Sequence, residues 1–423
     1  MNNLVIICAI LLLVLLFLKV PVYIAVLSAS AVYFIGTPGM NLSIFAQKTI
    51  SGAEGLSLLA IPFFVCAGIF MNYTGVTKRI MNCCEVLTAR MPGGLAQVNI
   101  LLSTLMGGLS DAAMQCKMLV PTMESKGYSK SFSTVITAAS GMVVPLIPPG
   151  VGLIIYGCIN NISIGKLFIA GIGPGIVLCV TLMIFTHFLS KKRGYLPSRT
   201  TKIPVSEKIA AVRPAFLPLL LPIIIIGGVR IGVFTASEAG TVAIVYAVLL
   251  GLLYKELTLK NVMQGCKETV TTTASIMLIV AAATCFSWIL TKEQIPQQFS
   301  QWMISNIHNK YVFLIMVNIF LLIVGMFIEG NASMIVLAPL LHPVAMAYGI
   351  DDIHFAMVYI FNCTIGAFTP PMGTLMFVSC GITKCPTKDF IKEAVPFYIL
   401  FAIDIIVLTY IPQLTTFLVN VFY

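Results

Sequence analysis

Residues 107–121 read GGLSDAAMQCKMLVP, and residues 325–339 read GMFIEGNASMIVLAP. The two stretches align without a gap at an offset of 218 residues, so that Asp111 pairs with Glu329, and both begin on glycine and end on proline. Each lies in an apolar segment that its glycines interrupt. Such a segment enters a membrane as a hairpin of two short helices, because non-helical backbone is tolerated at that depth only where protein or a cavity surrounds it. The sequence therefore predicts two equivalent hairpins.

The composition places the whole chain in a membrane. Of 423 residues, 59% are hydrophobic and 9% are charged, with a mean hydropathy of +1.01, whereas about a quarter of the residues of a soluble domain are charged. A soluble enzyme, a disordered chain and a nucleic-acid binder are excluded, because only lipid can cover this much apolar surface. The apolar runs are long and continuous, which indicates helices rather than strands.

The basic residues indicate which side of the membrane each loop faces. Seven of the 25 basic residues fall within 191–213, where Glu207 is the only acid, and loops of this kind lie in the cytoplasm. The seven are Lys191, Lys192, Arg193, Arg199, Lys202, Lys208 and Arg213. Threading from this loop places both ends of segment 95–128 in the cytoplasm and both ends of segment 311–349 outside. The two hairpins are therefore predicted to enter the membrane from opposite faces.

The same threading predicts about ten transmembrane helices besides the two re-entrant hairpins. The predicted spans are 3–18, 21–36, 56–73, 131–157, 164–190, 214–233, 236–254, 268–291, 354–384 and 394–421. No basic region precedes the first span, which is expected to be retained rather than cleaved as a signal peptide. The expected fold is an all-α integral membrane protein.

Each hairpin is followed by a helix that a diproline breaks. The breaks contain Pro148-Pro149 and Pro370-Pro371, at an offset of 222, so the turn between hairpin and broken helix is expected to be four residues longer in the second half. Proline has no N–H and clashes with the carbonyl four residues earlier, so backbone carbonyls lose their partners there. Free carbonyls at membrane depth line a cavity or bind a cation. Opposed hairpins that each face a broken helix predict a secondary transporter whose site lies near the midplane.

Asp111 and Glu329 are carboxylates in otherwise apolar segments, where an ionised side chain costs about 2.5 to 3.5 kcal/mol. Each is expected at the N-terminus of its hairpin's second arm, where it can accept hydrogen bonds from free amides. Direct contact with a cation or with the substrate is the alternative.

Five groups of residues, spread along the chain, match the pattern of a known family. They are Asp111-Ala112-Ala113, Thr137 to Gly157 through the first diproline, Gly232 to Ala239, Gly325 to Glu329, and Asn362 to Gly373 through the second diproline. With these groups in this order, the sequence resembles the large membrane subunit, or DctM-type permease, of tripartite ATP-independent periplasmic (TRAP) transporters.

The resemblance implies an inverted-repeat, elevator-type transporter that imports organic acids with sodium as the coupling ion. It implies a location in the bacterial inner membrane and two protein partners. These are a small four-helix membrane subunit and a periplasmic substrate-binding protein that delivers the ligand. The chain would be the large subunit without a fused small one, and no catalytic residue is expected.

The resemblance also implies one sodium site, and the repeat supplies a second. In the family, a sodium ion joins the second hairpin to the second broken helix through carbonyl oxygens and one hydroxyl. The matching residues are Gly325, Gly366, Thr369 and Met372. Symmetry alone places a twin site at Gly107, Ser140, Val144 and Ile147. The expected hairpin-tip and substrate residues are Ser110, Asp111, Lys117, Glu329, Asn331 and Ser333.

The first hairpin departs from the family's pattern. The family usually carries a cluster of hydroxyl residues before the aspartate, whereas residues 105–109 read LMGGL here and only Ser110 remains. Lys117 could replace the missing hydroxyls as a partner for an anionic ligand. Alternatively, its ammonium reaches the membrane surface or pairs with a neighbouring acid.

The chain is expected to divide into five segments that alternate between a scaffold and a mobile transport domain. They are 1–94, scaffold helices and an arm; 95–157, the first repeat of the transport domain; 158–310, connecting and scaffold helices with the basic loop; 311–384, the second repeat; and 385–423, a C-terminal arm and scaffold helix.

Two other functions are alternatives to a tripartite transporter. A stand-alone, ion-coupled carboxylate or anion transporter could use similar hairpins without a binding protein. A membrane-embedded hydrolase would need a Ser/His, paired-Asp or His–metal constellation at membrane depth, and the sequence shows none.

Overall fold

The computed structural model describes residues 3–18, 20–109, 112–199, 201 and 203–423. Every regular element among these residues is a helix and none is a strand, which confirms the all-α prediction. Lys202 of the basic loop lies outside the described residues.

Five helices precede the first repeat. They are α1 (Asn3–Phe17), α2 (Val22–Gly36), α3 (Leu42–Ser51), α4 (Ala60–Tyr73) and α5 (Val76–Thr88). The predicted span 56–73 ends where α4 ends, but a second helix, α5, follows it after a bend of 68°. Gly75 at this bend has a φ of +70°, a left-handed conformation that glycine adopts without a steric penalty.

The first repeat consists of a hairpin followed by a broken helix, as predicted. The hairpin arms are α6 (Gly94–Met106) and α7 (Ala112–Ser125), and the halves of the broken helix are α8 (Lys130–Gly141) and α9 (Val151–Asn160). Five helices then lead to the second repeat. They are α10 (Ile164–Lys192), α11 (Val205–Arg230), α12 (Ala236–Leu253), α13 (Leu259–Lys292) and α14 (Ile295–Asn306).

The second repeat has the same four parts, and two helices follow it. Its hairpin arms are α15 (Lys310–Phe327) and α16 (Gly330–Ala347), and its broken helix consists of α17 (Asp352–Phe368) and α18 (Thr374–Thr383). The last helices are α19 (Thr387–Tyr410) and α20 (Gln413–Phe422). The predicted span 394–421 therefore starts earlier than expected and bends by 49° near Pro412.

The four extra residues of the second repeat lie in a helix and not in a turn. Helices α7 and α16 begin 218 residues apart, but α7 has 14 residues and α16 has 18. The turns that follow, 126–129 and 348–351, are both four residues long. The expectation of a longer turn is wrong. Four residues add about one helical turn, which keeps the same face of the arm toward its neighbours.

The same cap begins both broken helices. Ser129 accepts a hydrogen bond from the backbone N–H of Phe132, and Asp351, 222 residues later, accepts one from that of His354. Short polar side chains at this position satisfy amides that a helix start leaves free. Both diproline bonds are cis.

The two repeats share one core. Helices α6 and α7 both contact α8, and α15 and α16 both contact α17. The second arms also reach the opposite repeat, since α7 contacts α18 and α16 contacts α9. Phe132, Tyr156, Tyr359 and Phe368 are among the fully buried side chains of this core.

By length and composition, fewer helices of the described chain could cross a membrane than the ten spans predicted. Among the described residues, six helices are long and apolar enough to cross a membrane, or eight if each bent pair is one span. The six include α15 and α16, so the length of these arms does not distinguish a re-entrant hairpin from two spans. The other predicted spans are shorter helices such as α1 and α2, with 15 residues each. The count of ten stays a prediction.

Candidate functional site

The second hairpin and the second broken helix meet at two glycines. A Cβ atom on Gly366 would lie 2.6 Å from the Cα of Gly325, and one on Gly325 would lie 2.9 Å from the Cα of Gly366. The backbones of α15 and α17 therefore touch, which only residues without a side chain allow. This contact brings together two of the four residues expected to bind sodium.

The diproline leaves oxygen atoms next to this contact. In a continuous helix the carbonyl of Gly366 would accept from the N–H of residue 370, but that residue is proline. The Gly366 carbonyl accepts instead from the backbone N–H of Thr369, at 3.0 Å. The Thr369 hydroxyl donates to the carbonyl of Ile365 at 2.7 Å, so its lone pairs are available to a cation.

Met372 and Glu329 line a cavity of about 230 Å³ between the second hairpin tip and the turn that joins α1 to α2. Glu329 caps α16, because its carboxylate accepts from the backbone N–H groups of Asn331 at 3.3 Å and Ala332 at 3.4 Å. The expected capping position of Glu329 is confirmed. The four predicted sodium ligands of this repeat thus occupy one neighbourhood of the fold.

Asn331 and Ser333 hold the start of α16 in place. The Asn331 amide donates to Glu329 at 2.7 Å. Ser333 is buried, with its hydroxyl 3.3 Å from the hydroxyl of Tyr359, which in turn donates to the Ser333 carbonyl at 3.0 Å. Ser333 therefore faces the broken helix rather than a cavity.

In the first repeat, the hairpin tip lies directly on the diproline segment. The N–H of Gly108 donates to the carbonyl of Ile147 at 2.9 Å. Gly107 has a φ of +51°, and a Cβ atom there would lie 2.7 Å from the Pro148 carbonyl oxygen. The same Cβ atom would also lie 2.7 Å from the Cγ2 atom of Ile147, so Gly107 and Ile147 lie side by side, as the twin site requires.

Ser140 and Val144, the other two residues of the twin site, bond within their own turn. The Ser140 hydroxyl donates to the Thr137 carbonyl at 2.8 Å, and the Val144 N–H donates to the Gly141 carbonyl at 3.3 Å. The Val144 carbonyl corresponds to that of Gly366, since residue 148 is also proline, and no described backbone N–H replaces the missing donor. Hard carbonyl oxygens of this kind fit an alkali cation.

Lys117 lines the largest cavity described, of about 650 Å³, at the tip of the first hairpin. The opposite wall belongs to α4 and α13 and includes Glu268. Lys117 is exposed to this space and forms no ion pair with any carboxylate among the described residues. Ser110 and Asp111 lie outside the described residues.

Two polar clusters pair distant segments in a way that the sequence does not predict. Glu268 accepts from the Tyr73 hydroxyl at 2.7 Å, across 195 residues of sequence. Asn362 donates to the side-chain oxygen of Asn318 at 2.8 Å, and both side chains are buried. A polar residue in an apolar helix was the only available signal, and it does not identify the partner.

Asp404 also finds its partner only in the structure. It is 2% exposed, and the Thr181 hydroxyl on α10 donates to its carboxylate at 3.0 Å. This hydrogen bond joins α19 to α10. It supplies part of the compensation that a buried carboxyl group needs.

Known proteins are similar to this chain in sequence or in fold. The profile of the tripartite ATP-independent periplasmic transporter DctM component matches residues 9–414. The sialic acid TRAP transporter large permease protein of Vibrio cholerae is 38% identical, over 96% of each chain. The C4-dicarboxylate TRAP transporter large permease protein of Pseudomonas aeruginosa is 35% identical, over 89% of each chain. The crystal structure of the YdaH transporter of Alcanivorax borkumensis shares the fold, with a TM-score of 0.57 and 12% identity over 88% of each chain.

These relatives are named as transporter permeases and not as enzymes. Several apolar helices of the described chain are suited to crossing a membrane, as in an integral membrane transporter. The match of the profile over nearly the whole length agrees with the resemblance found in the sequence. The chain therefore belongs to the DctM component family, the large permeases of tripartite ATP-independent periplasmic transporters.

Proposed function

We propose that the protein imports a carboxylate-bearing organic acid across the bacterial inner membrane, with sodium as the coupling ion. The observation that carries this proposal is the contact of Gly325 with Gly366, next to the Thr369 hydroxyl. It supplies oxygen ligands at a helix break, the arrangement that secondary transporters use for ions. The relatives named for sialic acid and C4-dicarboxylates support an acid as substrate.

The proposed coupling follows from the free carbonyls. Sodium held by Gly325, Gly366, Thr369 and Met372 would compensate backbone oxygens at the helix break, where the Gly366 carbonyl has only the Thr369 N–H as a described backbone partner. The twin position at Gly107, Ser140, Val144 and Ile147 would do the same in the first repeat. Each net positive charge that moves inward across 100 mV contributes about 2.3 kcal/mol, so two such charges would supply roughly 5 kcal/mol for accumulation.

The proposed motion is that of an elevator. Segments 95–157 and 311–384 would move together, and the crossed contacts of α7 with α18 and of α16 with α9 support their treatment as one body. Helices before, between and after these segments would form the scaffold. A small four-helix membrane subunit would attach to the scaffold, and a periplasmic binding protein would deliver the acid, because the family name describes a tripartite, periplasmic system.

Reconstituted vesicles test the proposal. Vesicles with the permease, its small subunit and its binding protein are expected to take up sialic acid or succinate, a C4-dicarboxylate, only with an inward sodium gradient. Uptake that is equally fast without sodium would contradict the coupling. Uptake by the permease alone would instead support a stand-alone transporter.

Thr369→Val tests the sodium site itself. The variant loses one oxygen ligand, and the half-saturating sodium concentration is expected to rise about tenfold, the equivalent of 1.4 kcal/mol. Thr364→Val is the matched control, because Thr364 lies on the same helix and its hydroxyl also donates to the carbonyl four residues earlier, at 2.7 Å. An equal sodium response in both variants would count against the site.

A further inference from the structure

The largest cavity described lies between two bodies that move relative to each other if the proposed function is right. Its first wall comes from the hairpin tip and the start of α9, including Gly108, Leu109 and Lys117. Its second wall comes from α4 and α13, which contact each other and carry Tyr73 and Glu268. A ligand in this cavity would therefore touch both the mobile part and the scaffold.

The two walls carry opposite charges. Lys117 is the only basic residue and Glu268 the only acidic residue among the described residues that line the cavity. Both residues belong to segments predicted to lie in the membrane, where a charged side chain that lines a cavity marks a pathway or a binding site by default. The single cation on the mobile wall suits a carboxylate ligand.

Glu268 is held by the scaffold and not by Lys117. Its Oε1 atom accepts from the Tyr73 hydroxyl at 2.7 Å and from the Gln264 amide at 2.8 Å. All three residues belong to α4 or α13. The carboxylate is thus fixed in position, whereas the ammonium of Lys117 forms no ion pair with any described carboxylate and can move on its flexible stem.

The cavity lies toward the cytoplasmic ends of the scaffold helices. Gly68 lies in the middle of α4, and a Cβ atom on it would be 3.5 Å from the Leu109 backbone at the hairpin tip. From there the cavity extends along α4 to Tyr73, at the end of that helix. Glu268 is in the first half of α13, which begins after the loop with Lys255 and Lys260. By the positive-inside rule this loop is cytoplasmic.

We propose that Lys117 binds the carboxylate of the transported acid and that Glu268 displaces it on the cytoplasmic side. When the first hairpin faces α13, the fixed carboxylate of Glu268 repels the anionic ligand and can itself form an ion pair with Lys117. The acid then leaves as Lys117 turns to Glu268. When the hairpin is away from α13, Glu268 does not compete for Lys117 and the acid stays bound. The exchange therefore favours release at the cytoplasmic face only.

Transport kinetics separate the two roles, with sialic acid or succinate as the probe in reconstituted vesicles. Lys117→Gln is expected to raise the apparent KM for the acid by about tenfold. Glu268→Gln keeps the acceptor for Tyr73 but removes the charge, and it is expected to lower both the apparent KM and the maximal rate by about fivefold, because release slows. In the double variant, Glu268→Gln is expected to have no further effect, since nothing remains to be exchanged.

Conservative and remote variants control these measurements. Lys117→Arg is expected to restore most of the affinity. Lys260→Gln and Glu54→Gln, which change exposed charges outside the cavity, are expected to leave the kinetics unchanged. A rise in KM in Glu268→Gln like that in Lys117→Gln, or additive effects in the double variant, would overturn the proposal.

A second measurement needs no transport, and so it separates a failure of this proposal from a failure of the proposed function. Thr272 lines the same cavity, and Thr272→Cys can be modified by anionic sulfonatoethyl or cationic trimethylammonioethyl methanethiosulfonate in a Cys266→Ser background. The ratio of the anionic to the cationic reaction rate is expected to fall about tenfold in Lys117→Gln and to rise about tenfold in Glu268→Gln. Unchanged ratios would overturn the proposal even if sodium-dependent uptake were found.

Discussion

The two hairpins share one plan but close their sites differently. The first has arms of 13 and 14 residues, and its tip is fixed by the hydrogen bond from Gly108 to Ile147. The second has two arms of 18 residues and is closed by the contact of Gly325 with Gly366. In both, proline removes the same backbone donor. The repeat thus preserves the helix break, whereas the atoms that surround the break have diverged.

The cavities beside the two hairpin tips also differ in size and in the charges of the described residues that line them. The first tip carries Lys117 into a cavity of about 650 Å³, and the second carries Glu329 into one of about 230 Å³. The larger space, with a lysine on the hairpin and a glutamate on α13, is the one proposed for the organic anion, and the smaller space, with a carboxylate, is the one proposed for sodium. The two cavities therefore differ as the proposed function would require, with an organic anion and a sodium ion as its two ligands.

The largest effect is expected for Gly108→Ala in the first hairpin. A Cβ atom there would lie 2.1 Å from the Pro149 carbonyl oxygen, so the tip must separate from the broken helix. Overpacking of this kind costs about 1 to 3 kcal/mol, and uptake should be lost. Thermal unfolding in detergent and uptake measure the two effects. Gly381→Ala is the control, because nothing lies within 4 Å of a Cβ atom at that position.

A smaller and different effect is expected for Gly366→Ala in the second broken helix, where it contacts the second hairpin. Its Cβ atom would lie 2.6 Å from Gly325, so α15 and α17 must move apart and spread the proposed sodium ligands. The half-saturating sodium concentration should rise about tenfold, the equivalent of 1.4 kcal/mol. If the sodium response were normal while stability fell, the contact would be structural only.

Loss of the Glu329 cap should lower stability moderately. Glu329→Ala removes the acceptor for the amides of Asn331 and Ala332, at a cost of about 1 kcal/mol. Glu329→Asp keeps a carboxylate at the cap and should retain most of the stability. Equal melting temperatures for the alanine variant and the unchanged protein would exclude a capping role.

The smallest effect is expected at the base of the first hairpin. Lys130 lies 3.7 Å from Glu124, and both side chains are partly exposed. Such pairs contribute roughly 0.2 to 1 kcal/mol because water and salt screen them. Lys130→Gln should therefore leave melting temperature and uptake nearly unchanged. A large loss would show that the ion pair fixes the hairpin against its broken helix.

Local signals in the sequence predicted the repeated elements well. The breaks follow from the diprolines, and the position of the Glu329 cap follows from a carboxylate at a helix start, because both depend on residues within one turn. The offset of four residues predicts a longer turn, but these residues extend α16. A sequence offset counts residues without showing whether they are helical. The bend between α4 and α5 lies at Gly75, just beyond the predicted end of the span 56–73.

Contacts between distant segments could not be predicted from the sequence alone. Tyr73 and Glu268 belong to different helices, and only the packing of α4 on α13 brings them together. The same holds for the twin site, where symmetry found Gly107 and Ile147 but gave no sign that Ser140 and Val144 bond within their own turn. Local patterns specify breaks and caps, whereas tertiary packing decides which atoms surround a site.

The central claim is that the two hairpins enter from opposite faces, and the sidedness of their bases tests it most directly. Lys126 lies at the base of the first hairpin and His308 just before the second, and both are exposed. Lys126→Cys and His308→Cys, each in a background where the exposed Cys266 is serine, can be labelled with an impermeant thiol reagent in intact cells and in inverted vesicles. If the hairpins enter from opposite faces, the cysteine at 308 reacts only in cells and the one at 126 only in inverted vesicles. Labelling of both from the same face would contradict it.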